Sequence, residues 1–260
     1  MQVVILAGGL GTRLSEETGS IPKPMVRIGD LPILVHLMRF FSSYGHTDFV
    51  IALGYKGYLI KEYFANFANH ISDFELNLID GSIHYLNAHD APWKVKLIDT
   101  GETSQTGQRV KMLGQFLENE FFLTYGDGLS DVNLDQLVQT HRNSNAVTTL
   151  TAVKPQPRFG SLEIEGDWVN EFSEKSLSKD SRINGGFMFT RKSILDYIVG
   201  NEPLEDGALK RLSKENKLAA FSHHGFWHPM DTLRDKNNLQ KLWSDGLSPW
   251  KPVTSDENFS

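Results

Sequence analysis

The residues with the clearest chemical potential form a glycine-rich, cationic segment near the start of the chain: Gly8, Gly9, Gly11 and Arg13, followed by Lys23 between two prolines. Glycines let the backbone turn sharply and approach an anion closely, so that peptide N–H groups can bind it. Arg13 and Lys23 add positive charge, and the flanking prolines stiffen the backbone at the lysine. The spacing therefore predicts a site for phosphate groups.

Two common phosphate-binding loops do not fit this segment. A dinucleotide fingerprint needs a third small residue where this chain has Leu14. A Walker-type loop closes with Gly-Lys-Ser/Thr, whereas this loop continues Gly11-Thr12-Arg13. A purely structural turn between a strand and a helix is the remaining alternative, and the additional Lys23 disfavours it.

Two aspartates are candidate magnesium ligands. Asp127 follows a buried apolar run and lies between glycines, where the carboxyl ends of strands in open α/β sheets bind their ligands. Asp231 lies in a second polar turn near the end of the chain. Mg²⁺ prefers oxygen ligands and is usually held by one or two carboxylates together with substrate phosphates. The structural alternatives are an Asp-Gly turn at Asp127 and a helix cap at Asp231 or Thr232, with Asp235 closing a capping box.

Other chemistries are disfavoured by composition. The chain has no cysteine, which excludes disulfides, thiolate metal sites and cysteine nucleophiles. His223 and His224 are adjacent, and neighbouring side chains in an extended segment point to opposite faces, so we expect ordinary packing rather than metal chelation. No serine lies in a Gly-x-Ser-x-Gly nucleophile elbow.

Length and charge describe an ordinary globular protein. The chain has 260 residues, is 40% hydrophobic and carries a formal net charge of −6. The acidic balance argues against nucleic-acid binding and against anionic membranes, so Arg13 and Lys23 form a dedicated site. No signal peptide or bilayer-length apolar segment is visible, and we therefore expect a cytoplasmic location.

The positioning elements alternate between strand and helix patterns, which predicts an α/β sheet. Strands are predicted at residues 3–6, 49–53, 95–98, 121–125, 146–153 and 185–190, and helices at 33–44, 57–67, 109–117 and 232–243. A polar loop, 99–107, precedes the third helix.

A hairpin is predicted over residues 74–86, where apolar residues alternate on both sides of Asp80-Gly81. Together with Trp93, it exposes more apolar surface than an isolated hairpin can hide. We therefore predict that it packs against a neighbouring subunit of a homo-oligomer with closed symmetry.

These motifs together resemble one enzyme family. The segment Gly8-Gly9-Leu10-Gly11-Thr12-Arg13-Leu14 with Pro22-Lys23-Pro24 is similar to the signature of the sugar-phosphate nucleotidyltransferases. Further segments, among them Tyr125-Gly126-Asp127-Gly128 and Trp227-His228-Pro229-Met230-Asp231-Thr232, resemble the cytidylyl branch of that family. The resemblance runs over about residues 1–250.

The resemblance implies a fold and a reaction. The fold would be α/β, a Rossmann-like three-layer sandwich with a mixed, mostly parallel central sheet. One domain would cover residues 1–250, with a nucleotide-binding part over about 1–130, a sugar-phosphate-binding part over about 131–245, and a frayed tail at 251–260. The reaction would transfer a cytidylyl group from CTP to glucose 1-phosphate with Mg²⁺, by direct displacement of pyrophosphate.

The resemblance also implies roles for individual residues. Those at the reacting centre would be Arg13, Lys23, Asp127 and Asp231, of which the two aspartates would share Mg²⁺. The nucleotide would contact Leu6, Ala7, Gly8, Gly9, Gly11, Thr12, Arg13, Ser104, Arg109 and Gly126. The sugar phosphate would contact Lys23, Gly160, Glu174, Lys175 and Asn184.

Two departures weaken the sugar assignment relative to nucleotidyl transfer. Ser176 stands where the wider family has proline, and the segment 204–209 differs from the family pattern. The alternatives are transfer of another nucleotide, transfer to another phosphorylated acceptor, and a catalytically silent paralogue that senses nucleotide sugars. The presence of Lys23, Asp127 and Asp231 disfavours the silent paralogue.

Overall fold

The computed structural model describes residues 1–87, 91–155, 161–165, 168–173 and 181–251. Its strands are β1 (Gln2–Ala7), β2 (Arg27–Ile28), β3 (Leu31–Pro32), β4 (Asp48–Leu53), β5 (Phe74–Leu76), β6 (Ile83–Tyr85), β7 (Lys94–Asp99), β8 (Glu120–Tyr125), β9 (Gly128–Ser130), β10 (Thr148–Val153), β11 (Ser161–Glu165), β12 (Trp168–Ser173), β13 (Ile183–Arg191), β14 (Leu218–Ser222) and β15 (Trp227–Pro229).

The α-helices of the described residues are α1 (Ser15–Thr18), α2 (Ile33–Ser43), α3 (Gly57–Ala65), α4 (Phe67–Ile71), α5 (Thr106–Met112), α6 (Leu134–Arg142), α7 (Lys210–Lys214) and α8 (Leu233–Ser244). Short 3₁₀ turns cover Thr12–Leu14, Lys23–Met25, Gly114–Phe116 and Lys192–Tyr197, and a π-helical turn covers Glu205–Leu209.

The central sheet has seven strands in the order β14-β10-β13-β8-β1-β4-β7. Six of them have a parallel neighbour: β8, β1, β4 and β7 are parallel in that order, and β10 is parallel to β14. Strand β13 runs antiparallel to both β10 and β8. Strand β1 is buried along its whole length, which is typical of a parallel strand covered on both faces. The predicted mixed, mostly parallel sheet is confirmed.

Two separate apolar cores cover the two faces of this sheet. Val3 and Ile5 of β1 pack into one core with helix α2, while Val4 and Leu6 pack into the other core with Val110 of helix α5. This division follows from the strand period of two, which sends successive side chains to opposite faces. The arrangement is a three-layer sandwich, as predicted.

Two predicted helices end earlier than expected. The helix predicted over 57–67 is broken at Asn66, whose side-chain amide donates to the Glu62 carbonyl at 2.9 Å and so competes with the helical hydrogen bonds. The helix predicted over 109–117 instead spans Thr106–Met112, and a 3₁₀ turn begins at Gly114. Glycine is a poor helix former, which accounts for the change at that residue.

The predicted hairpin is confirmed as β5 paired antiparallel with β6. Trp93, however, does not add to its exposed surface. Its ring packs edge-on against Phe49, and its indole Nε1 donates to Ser42 Oγ at 2.6 Å. The expectation of an exposed Trp93 is therefore wrong, because the indole is anchored to the core of the sheet.

No helix of the described residues is long and apolar enough to cross a membrane. Trp250 is buried at the end of the described chain and packs against Phe226. Residues 252–260, most of the predicted frayed tail, lie outside the described residues.

Candidate active site

The predicted site residues converge at the carboxyl ends of four parallel strands. Strand β1 has β4 on one side and β8 on the other, so the chain reverses its direction of winding at β1. Ligands of open α/β sheets bind in the crevice outside the strand ends at such a reversal. The loops after β1, β4, β7 and β8 form this crevice.

One cleft at this edge contains every residue predicted to bind nucleotide. It is lined by Leu6, Ala7, Gly8, Gly9, Gly11, Thr12, Arg13, Ser104, Arg109 and Gly126, together with Lys23 and Asp127. Residues from four different segments thus share one cavity, although Leu6 and Asp127 are 121 positions apart in the chain. Their individual roles toward a ligand stay predictions.

The glycine-rich loop turns back on itself at Gly11. This residue has a φ angle of +63°, in the left-handed region that favours glycine, and its carbonyl accepts the N–H of Leu14 at 2.9 Å. Thr18 Oγ1 donates to the same carbonyl at 3.0 Å. Arg13 projects from this turn with 71% of its side chain exposed. The loop therefore presents a movable cation beside a fixed backbone.

Lys23 lies at the centre of a charged cluster. Its ammonium Nζ donates to Asp127 Oδ2 at 2.5 Å and to Asp231 Oδ1 at 2.9 Å. Arg13 Nη1 donates to Asp231 Oδ2 at 3.1 Å. Burial opposes the charge on Lys23, but the carboxylates of Asp127 and then Asp231 outweigh it and raise the pKa of the lysine. The sequence predicted all four residues but not their contacts with one another.

A short two-stranded sheet holds the two carboxylates together. Strand β9 follows Asp127 and pairs with β15, which precedes Asp231. Met230 N donates to the Asp127 carbonyl at 2.8 Å, so the two turns are joined directly. Beyond Asp231, Thr232 caps helix α8 in a reciprocal capping box with Asp235, as predicted. Cap and candidate ligand are therefore neighbouring residues rather than alternatives.

Arg109 binds backbone oxygens rather than carboxylates. Its guanidinium donates five hydrogen bonds of 2.7–3.2 Å, and only 3% of the residue is exposed. The acceptors are the carbonyls of Gly8, Leu53, Gly101 and Glu102 and the hydroxyl of Thr100. Burial lowers the pKa of Arg109, with Asp99 opposing the shift. The residue predicted to contact nucleotide thus also joins the ends of three strands.

This contact explains two of the glycines. A Cβ atom on Gly8 would lie 2.2 Å from Arg109 Nη1, and one on Gly54 would lie 2.5 Å from it. Neither position has room for a side chain while the guanidinium stays bound to the carbonyls. These glycines are therefore required by the close approach of the arginine as well as by any ligand.

The polar loop that carries Ser104 is anchored from outside the sheet. Gln105 N donates to Asn201 Oδ1 at 2.7 Å, and Asn201 Nδ2 donates to the Thr103 carbonyl at 3.3 Å. Ser104 lies on the same loop and faces the cleft.

Tyr125 and Glu205 form a polar pair beside the cleft that sequence reasoning missed. The phenol donates to Glu205, and Thr106 Oγ1 donates to the other carboxylate oxygen at 3.1 Å. Burial and then Glu205 raise the pKa of Tyr125 well above its ordinary value. The signal was the position of Tyr125, directly before Gly126 at the end of a buried strand.

Of the residues predicted to contact the sugar phosphate, Asn184 is half-buried on β13 and hydrogen-bonds with Tyr125. Its Oδ1 accepts the N–H of Gly186 at 2.9 Å. Gly160, Glu174 and Lys175 lie outside the described residues. Only Asn184 and Lys23 of this set can therefore be located relative to the cleft.

The two adjacent histidines have different surroundings. His223 is buried, with Nε2 3.0 Å from Asp131 Oδ1 and 3.1 Å from the Phe226 carbonyl, whereas His224 is exposed. Among the described residues, no group of three or more His, Asp or Glu side chains could hold a metal ion by itself.

Comparison with known proteins decides between the families compatible with such a cleft. A profile of the family described as Nucleotidyl transferase matches residues 2–245. The chain belongs to the nucleotidyl transferase family. This nucleotidyltransferase is 45% identical over 254 residues to glucose-1-phosphate cytidylyltransferase of Salmonella typhi, a match covering 96% of this chain and 99% of the relative.

A second relative is the probable glucose-1-phosphate cytidylyltransferase of Bacillus subtilis, 39% identical over 96% of the nucleotidyltransferase and 99% of the relative. Among solved structures, HddC from Yersinia pseudotuberculosis superposes with a TM-score of 0.67 at 27% identity, covering 93% of this chain and 99% of that one. The expected fold and the expected enzyme family are both confirmed.

Proposed function

We propose that the protein transfers the cytidylyl group of CTP to glucose 1-phosphate and releases pyrophosphate and CDP-glucose. The observation that carries this proposal is the full-length similarity to glucose-1-phosphate cytidylyltransferases. The cleft supports it independently, because a glycine loop, two cations and two carboxylates form a site for phosphate groups and a metal.

The reaction is a direct displacement at phosphorus. A non-bridging oxygen of glucose 1-phosphate forms a bond to the α-phosphorus of CTP, while the bond between that phosphorus and the bridging oxygen to the β-phosphate breaks. The electron pair of the broken bond leaves on pyrophosphate. The attacking oxygen is already ionised near neutral pH, so no general base is required. Catalysis therefore depends on alignment and on neutralising charge.

The residues of the glycine loop and its cations supply that neutralisation. Peptide N–H groups after β1 bind the triphosphate at close range. Arg13, exposed on its turn, folds onto the phosphates, and Lys23 stabilises the charge that develops at the reacting phosphorus. Lys23 has only 12% of its side chain exposed, so its charge acts where electrostatic interactions are stronger than in bulk water.

Magnesium fits the two carboxylates. Asp127 and Asp231 each have an oxygen within 3 Å of the same nitrogen atom, Lys23 Nζ, so both can reach a single bound cation. Two carboxylates are a typical protein contribution to a magnesium site whose other ligands are phosphates and water. When bound, Mg²⁺ would neutralise phosphate charge and orient the triphosphate.

The sugar side of the site rests on fewer observations. Asn184 and the neighbouring Tyr125 support a sugar-phosphate position next to the end of β8. By resemblance, Gly160, Glu174 and Lys175 complete it. Tyr125 contacts both Glu205 and Asn184, so this polar pair adjoins the proposed sugar-phosphate position.

The protein acts as a homo-oligomer in this proposal. At the tip of the β5–β6 hairpin, Leu78 is 87% exposed and Ile79 is 97% exposed, and four further apolar side chains of the hairpin are also exposed. Such a patch is typical of a protein interface. Light scattering at micromolar concentration should give a mass above 29.3 kDa, and Leu78→Asp with Ile79→Asp should reduce it. A monomer before mutation, or an oligomer that the two substitutions leave intact, contradicts this assignment.

The test of the reaction is a pyrophosphate-release screen in which each nucleoside triphosphate is combined with a panel of sugar 1-phosphates and Mg²⁺. CTP with glucose 1-phosphate should give the highest kcat/KM. Preference for another triphosphate would assign the protein to another branch of the family. Tight nucleotide binding without turnover of any pair would instead support the nucleotide-sugar sensor.

A further inference from the structure

The charged cluster of the cleft is complete without a metal. Lys23 contacts both carboxylates, Arg13 contacts the second one, and the four side chains balance two positive and two negative charges. Lys23 has 12% of its side chain exposed and Asp231 has 17%. Short, charge-assisted hydrogen bonds at partly buried sites are strong, so the ammonium is a firmly held counter-ion.

Backbone hydrogen bonds hold the segments that carry the lysine and the two carboxylates. The Lys23 backbone begins a 3₁₀ turn, Pro22 precedes it in an extended conformation, and Val26 N donates to the Lys23 carbonyl at 3.1 Å. The two carboxylates are joined through β9 and β15. Rotation of the Lys23 side chain can therefore change the contacts of this cluster without movement of a loop.

The proposed function gives Lys23 a second partner. When the triphosphate enters, its phosphate oxygens compete with the carboxylates for the ammonium. Withdrawal of Lys23 leaves Asp127 and Asp231 partly buried and without their shared counter-ion, which is costly unless another cation replaces it. Without nucleotide, by contrast, a divalent ion would have to displace the ammonium from both carboxylates.

We propose that Lys23 is an internal counter-ion that closes the Asp127–Asp231 pair to divalent cations until nucleotide withdraws it. This inference rests on the proposed function only in naming the triphosphate as the group that withdraws the lysine. The nucleotide-free enzyme therefore has little affinity for Mg²⁺ or Mn²⁺, and metal and nucleotide enter together. Loss of the ammonium should turn the carboxylate pair into a metal site of its own.

The experiment measures metal binding without nucleotide. Free Mn²⁺ is titrated with the wild type and with Lys23→Met, and the melting temperature is recorded with and without millimolar Mg²⁺. Lys23→Met should bind Mn²⁺ at least about tenfold more tightly than the wild type, because its two carboxylates have lost the ammonium that they share, although Arg13 still contacts Asp231. Its melting temperature should rise with Mg²⁺, since a ligand that binds only the folded state stabilises it. The wild type should show no such rise.

Three controls isolate the cause. Lys23→Arg keeps a cation and should stay closed to Mn²⁺. Lys23→Met combined with Asp231→Asn should lose the gained affinity. Lys96→Met removes a lysine that pairs with Asp48 outside the cleft and should behave as the wild type. If Lys23→Met folds only in the presence of Mg²⁺, this result also supports the inference, because the bound metal then supplies the free energy that stabilises the folded variant.

Two results would overturn the inference. One is a rise in the melting temperature of the nucleotide-free wild type with millimolar Mg²⁺ that Asp231→Asn abolishes; this measurement remains decisive even if Lys23→Met does not fold. The other is a folded Lys23→Met without any gain in Mn²⁺ affinity. Neither result depends on turnover, so this inference and the proposed reaction, which the pyrophosphate screen tests, can fail independently of each other.

Discussion

Lys23, which is partly buried, and Arg109, which is buried, are two cations in the same cleft, and they differ in their partners. Lys23 is bound by two carboxylates, whereas the five acceptors of Arg109 are neutral backbone and hydroxyl oxygens. A cation held by carboxylates can be exchanged for another cation, because the carboxylates keep their charge. The guanidinium of Arg109 is a permanent part of the scaffold, because it donates to oxygens at the ends of three strands. No ligand carries five donors in the same arrangement that could replace it.

The largest effect should follow from Lys23→Met. We expect kcat to fall by about 10²-fold or more, the scale for removing one group that stabilises charge in a transition state. Pyrophosphate release under saturating CTP and glucose 1-phosphate measures this loss. Lys96→Met is the matched control, since Lys96 forms a 3.0 Å ion pair with Asp48 away from the cleft, and its kcat should be unchanged.

An opposite outcome at Lys23 would change the comparison. If kcat per folded molecule stayed normal while the melting temperature fell and Mg²⁺ failed to restore it, Lys23 would be scaffold in the same sense as Arg109. Its charge would then stabilise the folded protein and not the transition state of the reaction.

Arg109→Met should mainly reduce stability. Several buried carbonyl oxygens would lose their donors, and each unsatisfied buried group costs about 1–3 kcal/mol; we expect a net loss of about 3 kcal/mol in the free energy of unfolding. Urea denaturation measures it. Arg109→Lys should recover part of the loss, because an ammonium can reach some of the acceptors. Mg²⁺ should not restore either variant, in contrast to Lys23→Met, and a clear Mg²⁺ rescue of Arg109→Met would contradict the distinction.

Three buried histidines differ from both Lys23 and Arg109, because they are basic side chains with few hydrogen-bond partners. His36, His46 and His141 are buried, and burial lowers the pKa of each to about 4. For His141 the nearby Arg191 adds to the shift, and its Nε2 has no partner among the described residues. Burial outweighs the carboxylates of Asp135 near His46 and Glu120 near His141, so these groups stay neutral in the folded state near neutral pH.

The sign of the resulting pH dependence follows from proton binding. The unfolded chain takes up protons below the ordinary histidine pKa of 6.5, and the folded chain does so only near 4. Stability is therefore full above that ordinary value and is lost as the pH falls toward 4. Between about pH 7 and pH 5, each of the three should reduce the free energy of unfolding by roughly 2 kcal/mol.

Urea denaturation at both pH values tests this dependence. His141→Gln should lose less stability on acidification than the wild type, by roughly 2 kcal/mol, whereas the exposed His224→Gln should lose as much as the wild type. Parallel losses in the wild type and in His141→Gln would show that His141 is not the group that titrates.

The difference between the two cations also marks what the sequence could predict. Lys23, Asp127 and the glycine loop were predictable because their chemistry is local: a strand, a turn and a charged residue within a few positions. The contact of Lys23 with Asp231 spans 208 positions, and the acceptors of Arg109 are backbone carbonyls, which have no side-chain signature. The sequence therefore indicates which residues are charged, and only the fold decides which charges meet.

The same reasoning separates the predicted elements from the missed ones. Long, fully buried strands such as β1 and β4 were predictable from their apolar runs. Helix α6 was missed although Asn133 caps it and Leu134, Leu137, Val138 and His141 follow with helical spacing, so a usable signal was present. Strand β14 is short and only partly buried, and such a strand has no clear apolar pattern.

The smallest effect concerns the local framework of Asp231. Asp235 Oδ2 accepts the N–H groups of Asp231 at 3.1 Å and of Thr232 at 2.9 Å, while Thr232 Oγ1 accepts the N–H of Asp235 at 3.2 Å. Asp235→Ala removes two of these three bonds and should reduce the free energy of unfolding by about 1 kcal/mol, the usual scale for a helix cap. Because the N–H of Asp231 loses its acceptor, kcat should also fall, by roughly 2- to 5-fold.

The control variant Asp235→Asn keeps an acceptor oxygen, so both its stability and its kcat should fall less. If Asp235→Ala lost stability with an unchanged kcat, the capping box would hold only helix α8, and the carboxylate pair would depend on β9 and β15 alone.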